Sequence, residues 1–235
     1  MKNGSIISIE NLVKRFPIGG GEFTALNDIN LRFEEGEFAG IVGPSGSGKT
    51  TLLNILGSLD SPTEGETQVL GTSSSGMTPK LAATLRKERI GFIFQTYNLM
   101  PVYTVFENVE FPLLLLKMPA PERKKAVLEA LEWVGLSEKI KSKPPMLSGG
   151  ESQRVAIARA MVKKPDLVLA DEPTANLDAE NSHHILQTME NLNQELHTSF
   201  IFATHDEKVI GYLHRIIRLE DGKVVSDENV KNNRP

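Results

Sequence analysis

The sequence predicts an α/β fold in which a sheet of buried strands is preceded by antiparallel β structure and interrupted by a helical insertion. Three observations predict it. Short apolar runs at 38–42, 90–94, 167–170 and 200–203 have the length and composition of strands covered on both faces. Segments between them, such as 179–196, carry apolar residues at helical spacing. From 96 to 164 strand patterns disappear and helical ones take over.

Ile7, Ile9, Leu12 and Val13 are set among polar residues, and Ile29-Asn30-Leu31-Arg32-Phe33 alternates strictly. The N-terminal part therefore reads as half-buried antiparallel strands. Glu35-Gly36-Glu37 turns the chain into the buried strand 38–42, after which come glycines and a helix over 51–56. A short strand at 68–70 leads through a polar linker, 72–79, to a helix over 81–89 and the strand 90–94. Within the helical stretch, Val127, Leu131 and Val134 share one face of a helix that charges at 122–125 open and Gly135 closes. Another helix starts at Ser148. The α/β pattern resumes at 167–170, and Ile185, Met189, Leu192 and Leu196 make the apolar stripe of the helix that follows. Strands at 200–203 and 215–219 come next, and Asp221-Gly222 turns a hairpin into 223–225. The expected division is a single unit over 1–235. Its core with the β subdomain spans 1–95 and 165–226, its helical subdomain 96–164, and a polar, frayed tail 227–235.

With 40% apolar and 24% charged residues in 235, the chain can bury a core without disulfide or metal staples. It has no cysteine, which excludes a disulfide framework, a thiol nucleophile and a cysteine-ligated zinc. A net charge of −4 without a long basic run argues against a nucleic-acid partner. Residues 1–9 are too short and polar for a signal peptide. The most apolar stretch, 111–118, is interrupted by Pro112 and falls far short of the ~20 residues that span a bilayer. The expectation is a soluble protein, with any membrane-spanning part supplied by other subunits.

Gly43-Pro44-Ser45-Gly46-Ser47-Gly48-Lys49-Thr50 fulfils the phosphate-loop pattern. Its glycines let successive backbone N–H groups curl around phosphate oxygens, and the following helix, with Thr51 in its first turn, adds a positive end. Lys49 is expected to reach the β- and γ-phosphates, and the Thr50 hydroxyl to ligate Mg²⁺. Chance produces such a string in roughly one chain in a hundred of this length, and a strand before it with a helix after it makes the nucleotide reading far stronger than a mere Gly-rich turn. The run 167–170 ends in Asp171-Glu172. Alone that is an ordinary strand end. Beside a phosphate loop, it delivers Asp171 to the metal's outer sphere and Glu172 to the water that attacks the γ-phosphate.

Leu147-Ser148-Gly149-Gly150-Glu151-Ser152-Gln153 is a second Gly-containing helix start. Ser148 and Glu151 form a capping box on spacing alone, but the two glycines weaken a helix and call for a further reason. With this string the sequence resembles the ATP-binding cassette family, whose signature loop it matches. The resemblance runs over nearly the whole chain and implies a P-loop NTPase core, ATP and Mg²⁺ as cofactors, and ATP hydrolysis. By that resemblance Gly43 to Thr51 hold the nucleotide, while Ser148, Gly149, Gly150 and Asp178 hold nucleotide bound to a partner. Phe16 matches the aromatic that stacks on adenine, where the family more often has Tyr. Gln95 matches the glutamine that touches Mg²⁺, and His205 the switch histidine that contacts the γ-phosphate and positions Glu172. Ala175-Asn176-Leu177-Asp178 matches the loop crossing the dimer interface. There the family's usual Ser-Ala start is absent, so Leu177 and Asp178 carry the match.

A chain with two anion-binding glycine loops but one metal-and-base set points the second loop at a partner's nucleotide. The implied partners are a second copy or a homologous ATPase, and integral membrane permease subunits, on the cytoplasmic face of the cell membrane. Phe94 to Pro101, with Glu107-Asn108-Val109, resembles the branch of lipoprotein-releasing, macrolide-exporting and antimicrobial-peptide-resistance ATPases. This implies export, or extraction of lipoproteins or peptides. The alternative is a cell-division ATPase that regulates cell-wall enzymes through a membrane partner. A soluble cassette of translation or repair would need tandem cassettes or long coiled coils, and a GTPase would need an Asn-Lys-x-Asp string; neither is found. Finally, Leu99, Met100, Val102, Tyr103 and Val105 crowd a bend at Pro101. They either tuck into the core or, as the family implies, border a groove that receives a helix of a membrane subunit.

Overall fold

The computed structural model describes residues 5–230; residues 1–4 of the polar N-terminus and 231–235 of the expected tail lie outside them. Two long strands, β1 (Ser5–Ile18) and β2 (Gly21–Glu34), form a hairpin about Gly19 and Gly20, which puts Phe16 opposite Phe23. They join β4 (Glu64–Val69) and β5 (Thr72–Ser73) in an antiparallel sheet ordered β2-β1-β4-β5. The larger sheet is ordered β10-β9-β3-β8-β7-β6. Its strands are β3 (Phe38–Val42), β6 (Ile90–Phe94), β7 (Leu167–Asp171), β8 (Ser199–Thr204), β9 (Arg215–Glu220) and β10 (Lys223–Asn229). All pairings in it are parallel except β10 on β9.

The continuous apolar runs are buried on both faces, and the pleat divides their residues between two cores. Ala39, Ile41, Leu167, Leu169, Ile201 and Ala203 face the antiparallel sheet and α1 (Lys49–Leu56), packing with Ile7, Phe33, Leu52 and Leu56. Phe38, Val42, Val168, Ala170, Phe200 and Phe202 face a helical layer. That layer consists of α3 (Val105–Leu115), α4 (Ala120–Trp133), α5 (Gly149–Met161) and α6 (Ala179–Leu196), which contribute Val109, Leu131, Ile157 and Met189 among others. The ring of Phe38 lies 5.6 Å from that of Phe200 and 4.8 Å from that of Phe202. The sheet thus carries one fused core on each side.

The helix ends follow local chemistry. Thr78 caps α2 (Pro79–Arg89), which closes with Arg86, Lys87 and Arg89 in its last turn, where cations suit the dipole. The ammonium of Lys163 donates to the carbonyls of Arg86, Lys87 and Ile90 at that same end. Thr104 and Glu107 form a capping box on α3. Pro112 lies inside α3, and packing of Val109 and Leu113 in the core carries the helix on to Leu115. The hairpin at Asp221-Gly222 forms with φ of 44° and 73°, the pair of positive values its turn type requires. A last short helix, α7 (Glu207–Ile210), follows β8. The tail also departs from expectation. Residues 227–229 stay in β10, because Arg215 holds the Asp227 carboxylate through two bonds of 2.7 Å while also reaching Glu37. Among the described residues no helix is long and apolar enough to cross a membrane.

The bend at Pro101 is fixed by one buried amide. Asn108, fully buried on α3, accepts from the N–H of Met100 at 2.8 Å and donates to the carbonyls of Met100, Tyr103 and Thr104 at 2.9–3.3 Å. Removing it strands buried backbone groups, so Asn108→Ala is expected to lower the unfolding free energy by about 1–3 kcal/mol. Denaturant titration followed by circular dichroism checks this, an unchanged midpoint being the contrary result.

Candidate active site

Four neighbouring parallel strands end in one row. Val42 of β3 is in register with Thr204 of β8, Ala203 with Asp171 of β7, and Asp171 with Phe94 of β6. The next residue on each strand is therefore at the carboxyl edge: Gly43, His205, Glu172 and Gln95. The crevice beyond the carboxyl ends of parallel strands is where α/β folds place ligands. Here it is a cleft of about 450 Å³ lined by Ser45, Gly46, Gly48, Lys49, Thr50, Thr51, Gln95, Glu172, His205, Phe23 and Ala25.

The Gly43 to Thr50 loop is shaped as an anion cradle. A Cβ at Gly43 would stand 2.1 Å from the carbonyl oxygen of Leu219, and Gly48, at φ 103°, would place one 2.6 Å from that of Ala25. Only glycine lets the loop press this closely against β9 and β2. No side chain caps α1 and no acid sits in its first turn, so its positive end is left for a ligand. The hydroxyl of Ser47 is buried without a partner, as suits a polar atom in a loop made to hold oxygens. Lys49 curls over the loop, its ammonium donating to the carbonyls of Gly43 and Pro44 at 2.8 and 2.9 Å. This tethers the charge at the cleft. The residues fit a nucleotide's phosphates.

Thr50 and Asp171 meet across the cleft floor, the hydroxyl lying 3.2 and 3.1 Å from the two carboxylate oxygens. Burial raises the pKa of Asp171; the Thr50 hydrogen bond opposes that shift, the charge of Glu172 adds to it, and Lys49 opposes it. A carboxylate disfavoured by burial gains most from a cation. Among the described residues no cluster of three His, Cys, Asp or Glu could hold a metal. A hydroxyl with a carboxylate behind it suits Mg²⁺, which takes few protein ligands and completes its shell with phosphates and water.

Glu172 is held at every point. Its backbone is left-handed, φ 44°, a costly state for a residue with a Cβ and one found where a site dictates geometry. Its N–H donates to the carbonyl of Ala203 at 2.9 Å. The hydroxyl of Thr204 donates to one carboxylate oxygen at 3.0 Å, and Nδ1 of His205 lies 2.6 Å from the other. A carboxylate oriented from both sides, beside an anion cradle, can align a water and take its proton. His205 itself is largely exposed.

Ser148, Gly149, Gly150 and Asp178 do not line this cleft. They form a second surface at the N-termini of α5 and α6. Ser148 and Glu151 make the capping box the spacing suggested, and Lys139 holds the other side of the Glu151 carboxylate at 3.1 Å. The backbone N–H of Ser148, then Lys139, keep the Glu151 pKa below its usual value. Asp178 caps α6 and binds Asn181 through backbone and side chain. A Cβ at Gly150 would stand 2.3 Å from the Asn181 side-chain oxygen. The second glycine thus has a packing reason within the chain that its sequence did not reveal. Asn176 links the two surfaces, its amide donating to the Gln95 carbonyl at 2.9 Å.

Phe16 is partly exposed on the hairpin with the Lys14 ammonium 4.9 Å over its ring, and it does not line the cleft. Its cross-strand partner Phe23 does. Reading the Gly19-Gly20 pair as a two-residue turn would have paired 16 with 23. Thr204 was missed too, being indistinguishable from any strand-end threonine until the register sets it beside Glu172.

An apolar groove of about 550 Å³ lies on another face, lined by Phe92, Phe94, Met100, Phe111, Pro112 and Leu115 with Asn98, Arg159 and others. The apolar bend divides around it. Val105 is fully buried and Leu99 packs on the helical core, whereas Val102 and Tyr103 are exposed and Met100 lines the groove.

Comparison with known proteins points to one family. A family model described as ABC transporter matches residues 26–175. The lipoprotein-releasing system ATP-binding protein LolD of Pseudoalteromonas translucida is 44% identical over 227 residues, covering 97% of this chain and 98% of that protein. The macrolide export ATP-binding/permease protein MacB of Hyphomonas neptunium is 43% identical over 229 residues, covering 96% of this chain but 35% of that longer protein. A solved structure of the ATP-binding cassette MJ0796, a protein of Methanocaldococcus jannaschii, is a dimeric post-hydrolysis state bound to ADP and Pi. It superposes with a TM-score of 0.88 at 41% identity, covering 96% of this chain and 99% of that one.

The close approach of Gly150 to Asn181 yields a direct test. Gly150→Ala is expected to destabilise the chain by about 1–3 kcal/mol without nucleotide present, as measured by thermal unfolding. A variant as stable as its parent would leave that glycine free of any packing duty.

Proposed function

This chain belongs to the ABC transporter family, and from that premise we propose that it works as one half of an ATP sandwich whose closing and opening drives separate membrane subunits. It is an ABC-type ATPase. The observation that carries the catalytic reading is the doubly held Glu172 carboxylate, set one residue past the strand row beside the phosphate loop.

In this reading the backbone of 43–50 and the α1 end bind the phosphates, with Thr51 in the first turn. Lys49 swings from its two carbonyl acceptors to the γ-phosphate side, exchanging two neutral acceptors for anionic ones. Glu172 orients the attacking water and takes its proton. Thr204 and His205 keep that carboxylate aimed, and His205, exposed at the rim, also meets the γ-phosphate. Mg²⁺ would be held by Thr50, with Asp171 behind it and Gln95 alongside, and would neutralise charge on the phosphate oxygens. The aromatic hairpin receives the base, through Phe16 by family resemblance and through Phe23 by its place on the cleft wall.

The second surface supports a partner in head-to-tail orientation. Ser148 and the first amides of α5, with Asp178 at the facing α6 end, lie outside the chain's own cleft and close on nucleotide held by a second copy or a homologous ATPase. The dimeric MJ0796 structure with ADP and Pi is in keeping with this. The helical stretch 96–164 moves relative to 1–95 and 165–226 when the dimer closes. Permease subunits seat a short helix in the apolar groove, on the cytoplasmic face of the membrane, and Phe111, Leu115 and Met100 supply the apolar contact. Similarity to LolD and MacB favours export or lipoprotein extraction over the cell-division alternative.

Glu172→Gln keeps the shape of the carboxylate but accepts no proton. It is expected to bind ATP normally and hydrolyse it on the order of 10²–10⁴-fold more slowly. With ATP it should run as a dimer in size-exclusion chromatography, and Ser148→Arg added to it should restore the monomer. Turnover within a few-fold of the parent, or a dimer that survives Ser148→Arg, would contradict the scheme. For the groove, Phe111→Glu and Met100→Glu are expected to leave the isolated chain's ATPase near the parental rate while abolishing its recruitment to membranes that contain the permease. Recruitment at parental levels would place docking elsewhere.

A further inference from the structure

Arg159 projects from α5 ten residues after Gly149, and desolvation lowers the pKa of its half-buried guanidinium. Both of its hydrogen bonds among the described residues go to consecutive backbone carbonyls, Tyr97 and Asn98, at 2.6 Å each. These two residues are left-handed, with φ of 58° and 49°. Two successive side-chain-bearing residues in that region are sterically costly and persist only where surroundings over-determine them. The local bonds of the turn, Tyr97 N–H to Phe94 O at 3.2 Å and Asn98 N–H to Thr96 O at 2.6 Å, do not tie it to any other element. Arg159 does.

This short turn touches every surface described above. Gln95, just before it, lines the nucleotide cleft and is tied to Asn176 through its carbonyl. The Tyr97 hydroxyl abuts Gly149, where an added Cβ would lie 3.2 Å from it. Asn98 and Arg159 line the apolar groove. We propose that Arg159 is a positioning residue for ATP hydrolysis: by pinning the 97–98 turn to α5, it fixes Gln95 and Gly149 relative to one another, so that a helix entering the groove shifts both together. The inference rests on the reading that Gln95 and the signature loop both serve ATP. The planar fork of arginine suits two adjacent carbonyls; lysine, a single point charge, replaces it only in part.

A double-mutant cycle on the isolated chain tests it, using Gln95→Ala, Arg159→Gln and their combination. Arg159→Gln is expected to lower kcat about tenfold or more, as a slightly misplaced group does, with KM for ATP within about twofold. If Arg159 acts through Gln95, the double variant is no slower than the slower single one. Amide hydrogen exchange at Asn98 should accelerate in Arg159→Gln, and Arg159→Lys should recover part of both effects. Losses that multiply in the double variant, or a parental kcat in Arg159→Gln with only a lower melting temperature, would overturn the proposal. Should Gln95→Ala alone turn over at the parental rate, the role given to Gln95 fails separately. Exchange at Asn98 then decides the clamp, an unchanged rate overturning it. If Arg159→Gln does not fold, Arg159→Lys carries the same comparisons.

Discussion

The register of the parallel sheet is the constraint on which the rest of this structure depends. β3, β8, β7 and β6 are hydrogen-bonded side by side, Val42 level with Thr204 and, one residue earlier on β8, Ala203 level with Asp171 and Phe94. Residues far apart in sequence are thereby brought to one edge, and each reaches it as the first residue beyond a largely buried strand. A slip of one residue on any strand would turn its side chains to the opposite core. The two fused cores make such a slip prohibitive. β7, for example, sends Leu167 and Leu169 to one side and Val168 and Ala170 to the other. Packing on both faces of the sheet therefore fixes the geometry of the chemistry at its edge.

At that edge the charged groups gather where function is proposed. The bare positive end of α1, the tethered Lys49 and the left-handed Glu172 border one cleft, with the half-buried Asp171 bonded to Thr50 of its wall. Most other helix starts are satisfied within the chain: Thr78, Thr104, Ser148, Asp178 and Asp206 cap their helices, and α4, which has no capping side chain, carries Glu122 in its first turn. The contrast between α1 and the others is informative. Only α1 among these lacks both a capping side chain and an acid in its first turn, and the loop before it is the one with the phosphate pattern. The α5 start differs in kind, since its amides are partly used by the Ser148–Glu151 box and Gly150 is used for packing on Asn181. What it offers a partner's nucleotide is the Ser148 hydroxyl and whatever of its dipole the Glu151 carboxylate leaves uncancelled.

Several cations in this structure hold backbone carbonyls of a second element. Arg159 grips the turn after Gln95, Lys163 three carbonyls at the end of α2, and Arg215 the carbonyl of Arg32 besides its two carboxylates. The first two lie on or just after α5 and line the groove. A long cationic side chain buried by its stem can span two elements in a way a short polar one cannot. The wall of the groove is in this way built from the same contacts that locate the helix behind the signature glycines.

Strand and helix identities, the phosphate loop, the Asp171-Glu172 pair and His205 were legible in the sequence because each depends on local chemistry: apolar runs of strand length, glycines before a helix, carboxylates closing a strand. The boundaries of β6 and α6 could be read directly for the same reason. What only the tertiary structure decided involves partners distant along the chain. Phe23 rather than Phe16 lines the cleft, since the hairpin's placement on the sheet chooses between cross-strand neighbours. Thr204 matters through its register with a strand more than thirty residues away. Val105 joins the core while Tyr103, two residues earlier, stays exposed, because the buried Asn108 fixes the bend between them. Pro112 remains inside α3 and Asp227 inside β10, held by packing and by Arg215 against their local tendencies. The sequence by itself determined the elements and the chemistry they carry, as short-range sterics and hydrogen bonding act within a few residues. Which side chains face the cleft, the groove or the core was settled by burial, which acts only once the sheet and helices have met.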